Sequence, residues 1–195
     1  KEYRRQRQMC IRDRGLIPTL GKGMFNERFF RQKGQAINIS IGQGVILTTL
    51  AQLAKMTAAL CNGGKLIKPI LMEGETGYCH QIDLKPEWLS IIKNGMEGCT
   101  KSPQGTAYHS CLPFENVSFA GKSGSTQVSR ITMQQRLDGS YKDLPYHLKD
   151  HALFVSYAPI LDPQFVTVVL IEHGKSGGKV AAPIAAAINQ EALLL

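Results

Sequence analysis

The residues best suited to chemistry are Gly121-Lys122-Ser123-Gly124-Ser125-Thr126, which set one cation and three hydroxyls within a single short run. Two kinds of site use such a set. A phosphate loop wraps backbone N–H groups round a nucleotide before entering a helix, and needs a glycine five positions ahead of its Gly-Lys pair. Asn116 occupies that position here, and Val169 occupies it for the second copy of the triplet, Gly174-Lys175-Ser176. Neither copy fits. The other use is a strand edge. There Lys122 supplies a positive field, Ser123 and Ser125 offer hydroxyls, and Gly124 lets a ligand backbone approach. The strand's own N–H groups can pair with an extended peptide or receive an oxyanion during acyl transfer. A short peptide ending in a carboxylate suits such an edge.

Other candidates are weaker. Two Ser-x-x-Lys strings occur, Ser90 to Lys93 and Ser176 to Lys179. The first falls inside an amphipathic helix, and the second lies in a glycine turn after the last strand. His109, His147, His151 and His173 are scattered, and Pro145 spoils the one helical spacing among them, so no metal site is expected. Glu97, Glu172 and Asp150 read as surface or hairpin charges rather than general acids. Five cysteines (Cys10, Cys61, Cys79, Cys99, Cys111) form no Cys-x-x-Cys pair and read as isolated buried thiols.

The elements that must carry the first triplet can be read from periodicity. Thr48 or Thr49 can cap a helix whose apolar face is Leu50, Leu53, Ala54, Thr57, Leu60 and Cys61, ended by Asn62-Gly63-Gly64. Pro86 opens a second helix with Trp88, Leu89, Ile92 and Met96 as its buried stripe. Strands are expected at 118–128, 151–159 and 164–174. The last is β-branched enough to be buried on both faces. Asp162-Pro163 supplies a tight antiparallel connection. A small-residue helix over 180–193 closes the chain and can pack closely on a sheet. The fold class is α+β, an antiparallel sheet flanked by helices.

A hydrophobic share of 43% and a charged share of 19% describe an ordinary globular composition. No apolar run is long enough to span a bilayer. The net charge of +8 is concentrated at the start, where residues 1–14 carry six Lys/Arg against two acids; the remainder holds 17 against 13. That balance implies no nucleic-acid partner.

The triplet resembles the Lys-Thr/Ser-Gly motif of penicillin-binding proteins and serine β-lactamases. Around it, GLIPT (15–19), ISIGQG (39–44), TTLAQLAKMTAALCNGGKL (48–66), GM (95–96), GTA (105–107), GKSGSTQV (121–128) and HALFVSYAP (151–159) follow the order of the class B penicillin-binding proteins. Within them the chain looks like the elongation transpeptidases of rod-shaped bacteria. The resemblance implies an incomplete transpeptidase domain over 15–195, with 1–14 an atypical basic segment outside the fold. It also implies a D,D-transpeptidase in which a serine attacks the penultimate D-alanine carbonyl of a peptidoglycan stem peptide. Lys122, Ser123 and Gly124 would be catalytic. Ser125 would contact the substrate carboxylate and donate its N–H to the oxyanion, with Thr126 beside it. Ser125-Thr126 departs from the commoner Thr-Ala but keeps a hydroxyl.

No cofactor is implied. The implied partners are D-Ala-D-Ala stem peptides, β-lactams and the glycosyltransferase of the elongation machinery. The implied location is the bacterial inner membrane, with the catalytic domain on the periplasmic side. The sequence contains no Ser-x-Asn, so the nucleophile and that motif are expected upstream of residue 1, together with a membrane anchor. A penicillin-recognising sensor domain without turnover is the alternative. The 48–66 block favours the transpeptidase.

Overall fold

The computed structural model describes residues 33–42, 48–70, 79–114, 116–129, 133–139 and 144–194. The expectations for residues 1–32, and for Gln43 and Gly44 of the ISIGQG stretch, lie outside the described residues. The chain divides into two units, Lys1–Leu53 with Ile70–Glu75, and Ala54–Pro69 with Thr76–Leu195.

Of the first unit, the described parts are helix α1 (Lys33–Ser40) and the start of helix α2 (Leu50–Cys61). Thr49 is the cap of α2. Its Oγ1 accepts from Gln52 N at 3.2 Å, and Gln52 Oε1 accepts from Thr49 N at 2.9 Å. The two orphan donors of the first turn are thereby satisfied reciprocally, as a capping box.

The second unit holds the rest of α2, which ends as its glycines predict. Gly63 and Gly64 take φ of 85° and 93°, and Gly64 N reaches back to Ala59 O at 2.7 Å. A Cβ on Gly64 would lie 2.9 Å from Ile82 O. Strands β1 (Lys65–Ile67) and β2 (Cys79–Gln81) form a two-stranded antiparallel sheet. Helices α3 (Pro86–Lys101) and α4 (Tyr108–Cys111) come after it. Strand β3 (Ala120–Thr126), a short helix α5 (Met133–Leu137), and strands β4 (His151–Ala158) and β5 (Phe165–Ile171) are next. A π-turn (Gly177–Ala181) then leads into helix α6 (Ala182–Ala192).

Strands β3, β4 and β5 form one antiparallel sheet in chain order, as the three expected strands and the Asp162-Pro163 connection predict. One face is closed by α6. Ala182, Ala185 and Ala186 are fully buried against Ala152, Phe154, Ala158 and Val169, because alanine lets a helix axis approach the sheet. A polar tie crosses this core. Thr167 Oγ1 donates to Asn189 Oδ1 at 2.7 Å, and Asn189 Nδ2 donates to Ser156 Oγ at 3.0 Å. All three side chains are buried and satisfied. The opposite face is covered by Cys61 of α2 and Met96 of α3, packed with Ala120 and Tyr157.

Several expectations are corrected. Strand β5 is not buried along its length: Thr167 and Val169 are buried and the rest half-buried, since among the described residues it lies at the edge of the sheet. In α3 the stripe fails at its N-terminal half. Trp88 is 53% exposed and Ile92 38%, and Leu89 is half-buried, while Met96 is buried. Burial concentrates where α3 meets β3. Thr100 Oγ1 donates to Phe119 O at 3.2 Å, and Lys101 Nζ to Val117 O at 3.3 Å. In α2, Thr57 and Cys61 of the expected stripe are buried with Ala59, but Leu50 is exposed. Cys61, Cys99 and Cys111 are buried thiols; Cys79 is exposed, because every residue of the thin ribbon strand β2 is. Burial raises the Cys61 thiol and lifts that of Cys111 to about 11, the neighbouring Cys99 adding to the effect.

Candidate active site

Gly121-Lys122-Ser123-Gly124 lies in a strand, not in a loop entering a helix. This excludes the phosphate-loop reading for the first triplet. The second copy sits in the turn between β5 and the π-turn, with Lys175 at φ 64°, and opens no phosphate loop either.

Strand β3 is an edge of its sheet among the described residues. It pairs with β4 on one side only, so alternate backbone groups of β3 face away from the ladder. The register places Lys122 opposite Val155 and Gly124 opposite Leu153, with Ser123 opposite Phe154 and Ser125 opposite Ala152. Side chains alternate between the faces of a strand. Lys122 therefore shares the face of Val155 and the α2–α3 cluster, and Ser123 and Ser125 share the face of α6 and the π-turn.

The glycines divide in purpose. A Cβ on Gly121 would stand 2.5 Å from the Phe154 ring and 2.7 Å from Val155 O, so packing demands glycine there. A Cβ on Gly124 would meet only the Leu153 side chain, at an ordinary 3.4 Å. The folded sheet does not require glycine at 124.

Lys122 is exposed. Its Nζ donates to Ser123 O at 2.8 Å and lies 3.5 Å from Ser123 Oγ. Ser123 Oγ is 2.6 Å from Thr106 Oγ1, which in turn is 3.2 Å from Cys99 Sγ. Ser125 is exposed, and its hydroxyl donates to Lys175 O at 3.3 Å. Thr126, also exposed, ends the strand opposite His151. The structure thus brings Lys122, Ser123, Gly124, Ser125 and Thr126 onto one exposed strand.

The two Ser-x-x-Lys strings lie elsewhere. Ser90 is an exposed residue of α3. Ser176 has a structural role, because its Oγ accepts from Lys179 N at 3.4 Å and so caps the π-turn. His151 and His173 face each other with ring centres 4.8 Å apart, and among the described residues no three metal-ligating side chains converge.

Three supports of the strand are not apparent from the sequence. One is Thr106. The others are Gly177 and Gly178, whose Cβ atoms would lie 2.2 Å from Leu153 O and from Thr106 O respectively. The π-turn is therefore pressed against both β3–β4 and the 105–107 loop. The signal is present in part: GTA (105–107) and the glycine pair stand out in the string, but no local pattern says that they meet.

A penicillin binding protein transpeptidase domain model matches residues 21–190. The chain belongs to that family. It is 31% identical over 186 residues to the peptidoglycan D,D-transpeptidase MrdA of Salmonella typhimurium, covering 87% of this chain and 29% of that protein. Among solved structures, penicillin-binding protein 2 of Helicobacter pylori, in a complex with MreC, superposes with a TM-score of 0.66. That match has 26% identity over 86% of this chain and 29% of the other. Penicillin-binding protein 2 of Pseudomonas aeruginosa in complex with WCK 5153 gives a TM-score of 0.63 at 28% identity, covering 89% and 37%. The chain thus spans about a third of the length of these relatives, and what it shares with them is part of a transpeptidase domain.

Proposed function

We propose that this chain is the portion of a peptidoglycan D,D-transpeptidase that carries the substrate-binding strand. The carrying observation is the placement of Lys122, Ser123, Gly124, Ser125 and Thr126 on an exposed edge strand within a chain of the transpeptidase family. A stem peptide ending in D-Ala-D-Ala would lie along β3 as an added strand. Gly124 supports this reading, since the fold leaves its missing side chain unexplained. The Lys122 ammonium sets the field in which the terminal carboxylate binds. The Ser125 N–H receives the oxyanion, and the Ser125 and Thr126 hydroxyls meet the carboxylate; the Ser125 hydroxyl must first turn from Lys175 O.

On this reading the acyl-enzyme forms on a serine contributed by a part of the parent protein that these residues do not span. Its Ser-x-x-Lys and Ser-x-Asn partners come from the same part. Ser90 and Ser176 do not serve. β-Lactams acylate the same serine, and an amine of a neighbouring strand resolves the natural acyl-enzyme into a cross-link. The parent acts in cell elongation at the inner membrane, with this domain on the periplasmic side. It works with the glycosyltransferase that builds the glycan. Residues 1–14 play no part in the site.

The test is covalent labelling by a fluorescent penicillin. The full-length protein should be labelled on one serine, and the 195-residue chain alone should not, because removing the nucleophile abolishes the covalent step. A stable adduct on Ser90 or Ser176 would overturn the assignment. Labelling of the full-length protein without any release of D-alanine from a stem peptide would favour the sensor instead.

A further inference from the structure

The Lys122 side chain is exposed, and it donates to the carbonyl and hydroxyl of its neighbour Ser123. An exposed lysine carries about 2 kcal/mol of rotamer entropy, so something must hold the contact if the ammonium is to stay in one place. The Ser123 hydroxyl is itself fixed from outside the strand, by the 2.6 Å contact with Thr106 Oγ1.

Thr106 rests on a firm base. Gly105 is wedged where a Cβ would lie 2.4 Å from Gly98 O and from Cys99 O. Ala107 is fully buried, and its N–H donates to Cys99 O at 3.1 Å. Gly178 presses on Thr106 O from the far side. The threonine hydroxyl also meets the buried Cys99 thiol at 3.2 Å.

We propose that Thr106 is a positioning residue of the candidate site, acting on Lys122 through Ser123; the proposal rests on the transpeptidase reading above. An ammonium can only donate. Ser123 Oγ therefore accepts from Lys122 Nζ, and it shares a hydrogen bond with Thr106 Oγ1, which shares one with Cys99 Sγ. The contacts run on without a break, from the lysine at the surface to a thiol in the core. Such a chain of polarised hydroxyls is stronger than its separate links. Ser123 holds the lysine and ties the strand to the 105–107 loop.

The test uses the full-length protein, with the second-order rate of acylation by a fluorescent penicillin and the melting temperature measured side by side. Thr106→Val keeps the shape and removes the hydroxyl. It should slow acylation about tenfold, the worth of one hydrogen bond of ordinary net strength, with the melting temperature nearly unchanged. Thr106→Ser should restore the rate to within about twofold, which a purely steric role would not require. In a Ser123→Ala background, Thr106→Val should cost nothing more. If valine lowers the melting temperature, Thr106→Ala, which cannot overpack, replaces it throughout.

A wild-type rate in Thr106→Val, a serine variant as slow as the valine one, or losses that multiply in the double variant would each overturn the proposal. An unlabelled wild-type protein would overturn the transpeptidase reading and this inference with it. A labelled wild type with an indifferent Thr106 sinks the inference alone.

Discussion

The tripeptide Gly-Lys-Ser occurs twice and folds in two ways. At 121–123 it is strand, with Lys122 on an exposed edge and Ser123 tied to Thr106. At 174–176 it is a turn, with Lys175 at φ 64° and Ser176 capping the π-turn through Lys179 N. The residues after each copy make the difference. The first runs on into Gly-Ser-Thr, whose strand pairs with β4 from Thr126↔His151 back to Ala120↔Tyr157. The second runs on into Gly-Gly, which permits the close approach to Leu153 O and Thr106 O. The copies also touch, since Lys175 O accepts the Ser125 hydroxyl. On the proposed reading one triplet presents chemistry, and the other holds the strand that presents it.

The sharpest way to break that division is to remove each lysine. In the full-length protein, Lys122→Ala should lower the rate of penicillin acylation about 100- to 1000-fold, the usual loss when one preorganised charge or oxyanion-type contact disappears. The fold should persist, because an exposed side chain contributes little packing. Lys175→Gly should leave acylation within about twofold and should not lower the melting temperature, since glycine takes a left-handed backbone without strain. Equal losses from both variants would show that the two copies share one role.

A second comparison lies between the glycines of the first copy. Gly121→Ala drives a methyl group into the Phe154 ring and Val155 O, and overpacking of that kind costs about 1–3 kcal/mol of stability. Gly124→Ala meets only ordinary contact. It should keep the melting temperature and slow acylation about tenfold by crowding the open edge. Denaturant titration and labelling rates, read together, separate the two. A Gly124→Ala protein that acylates normally would remove the argument for a peptide lying along β3.

How much of this is legible in the sequence depends on the range of the forces involved. The three strands, α2 with its Thr49 cap and glycine stop, and α6 with its alanine face are set by local periodicity and turn chemistry, and all appear as expected. The stripe of α3 departs from expectation at Trp88 and Ile92 because periodicity gives a helix its apolar face, not what covers it. Strand β5 departs because β-branched content is shared by central and edge strands. The Lys122 strand is legible through its motif. Its supports are not: Thr106 lies 17 positions from Ser123, and Lys175 lies 50 from Ser125. Nothing local in a string reports a contact made across that distance.

The two serines give a smaller effect. Ser176→Ala removes an acceptor that caps the π-turn, at a 3.4 Å contact on the long side for a hydrogen bond. Loss of a helix cap costs about 0.5–2 kcal/mol, and this contact belongs at the low end. The melting temperature should fall slightly while penicillin acylation stays at its normal rate. Ser176→Ala that abolished labelling would make Ser176 part of the chemistry and undo the distinction between the copies.

The smallest effect concerns what anchors the second copy. The N–H of His173, itself at φ 58°, donates to His151 Nδ1 at 2.9 Å, and His173 Nδ1 meets Lys149 O at 3.0 Å. His151 can accept only while Nδ1 is unprotonated. Burial first, and then the adjacent His173, push its pKa below the ordinary 6.5; Glu172 and Asp150 pull weakly the other way. The folded protein therefore binds fewer protons than the unfolded chain between the lowered value and 6.5. The contribution of His151 to stability is fully present above pH 6.5 and is lost as pH falls through that window. His151→Asn offers a side-chain oxygen in place of Nδ1 and does not titrate. Thermal melts of the full-length protein from about pH 7 to about pH 5 should therefore show a shallower decline in the variant than in the wild type. Parallel curves would mean that the His151–His173 contact does not hold the turn, and that Gly177 and Gly178 alone seat the second copy against the strand.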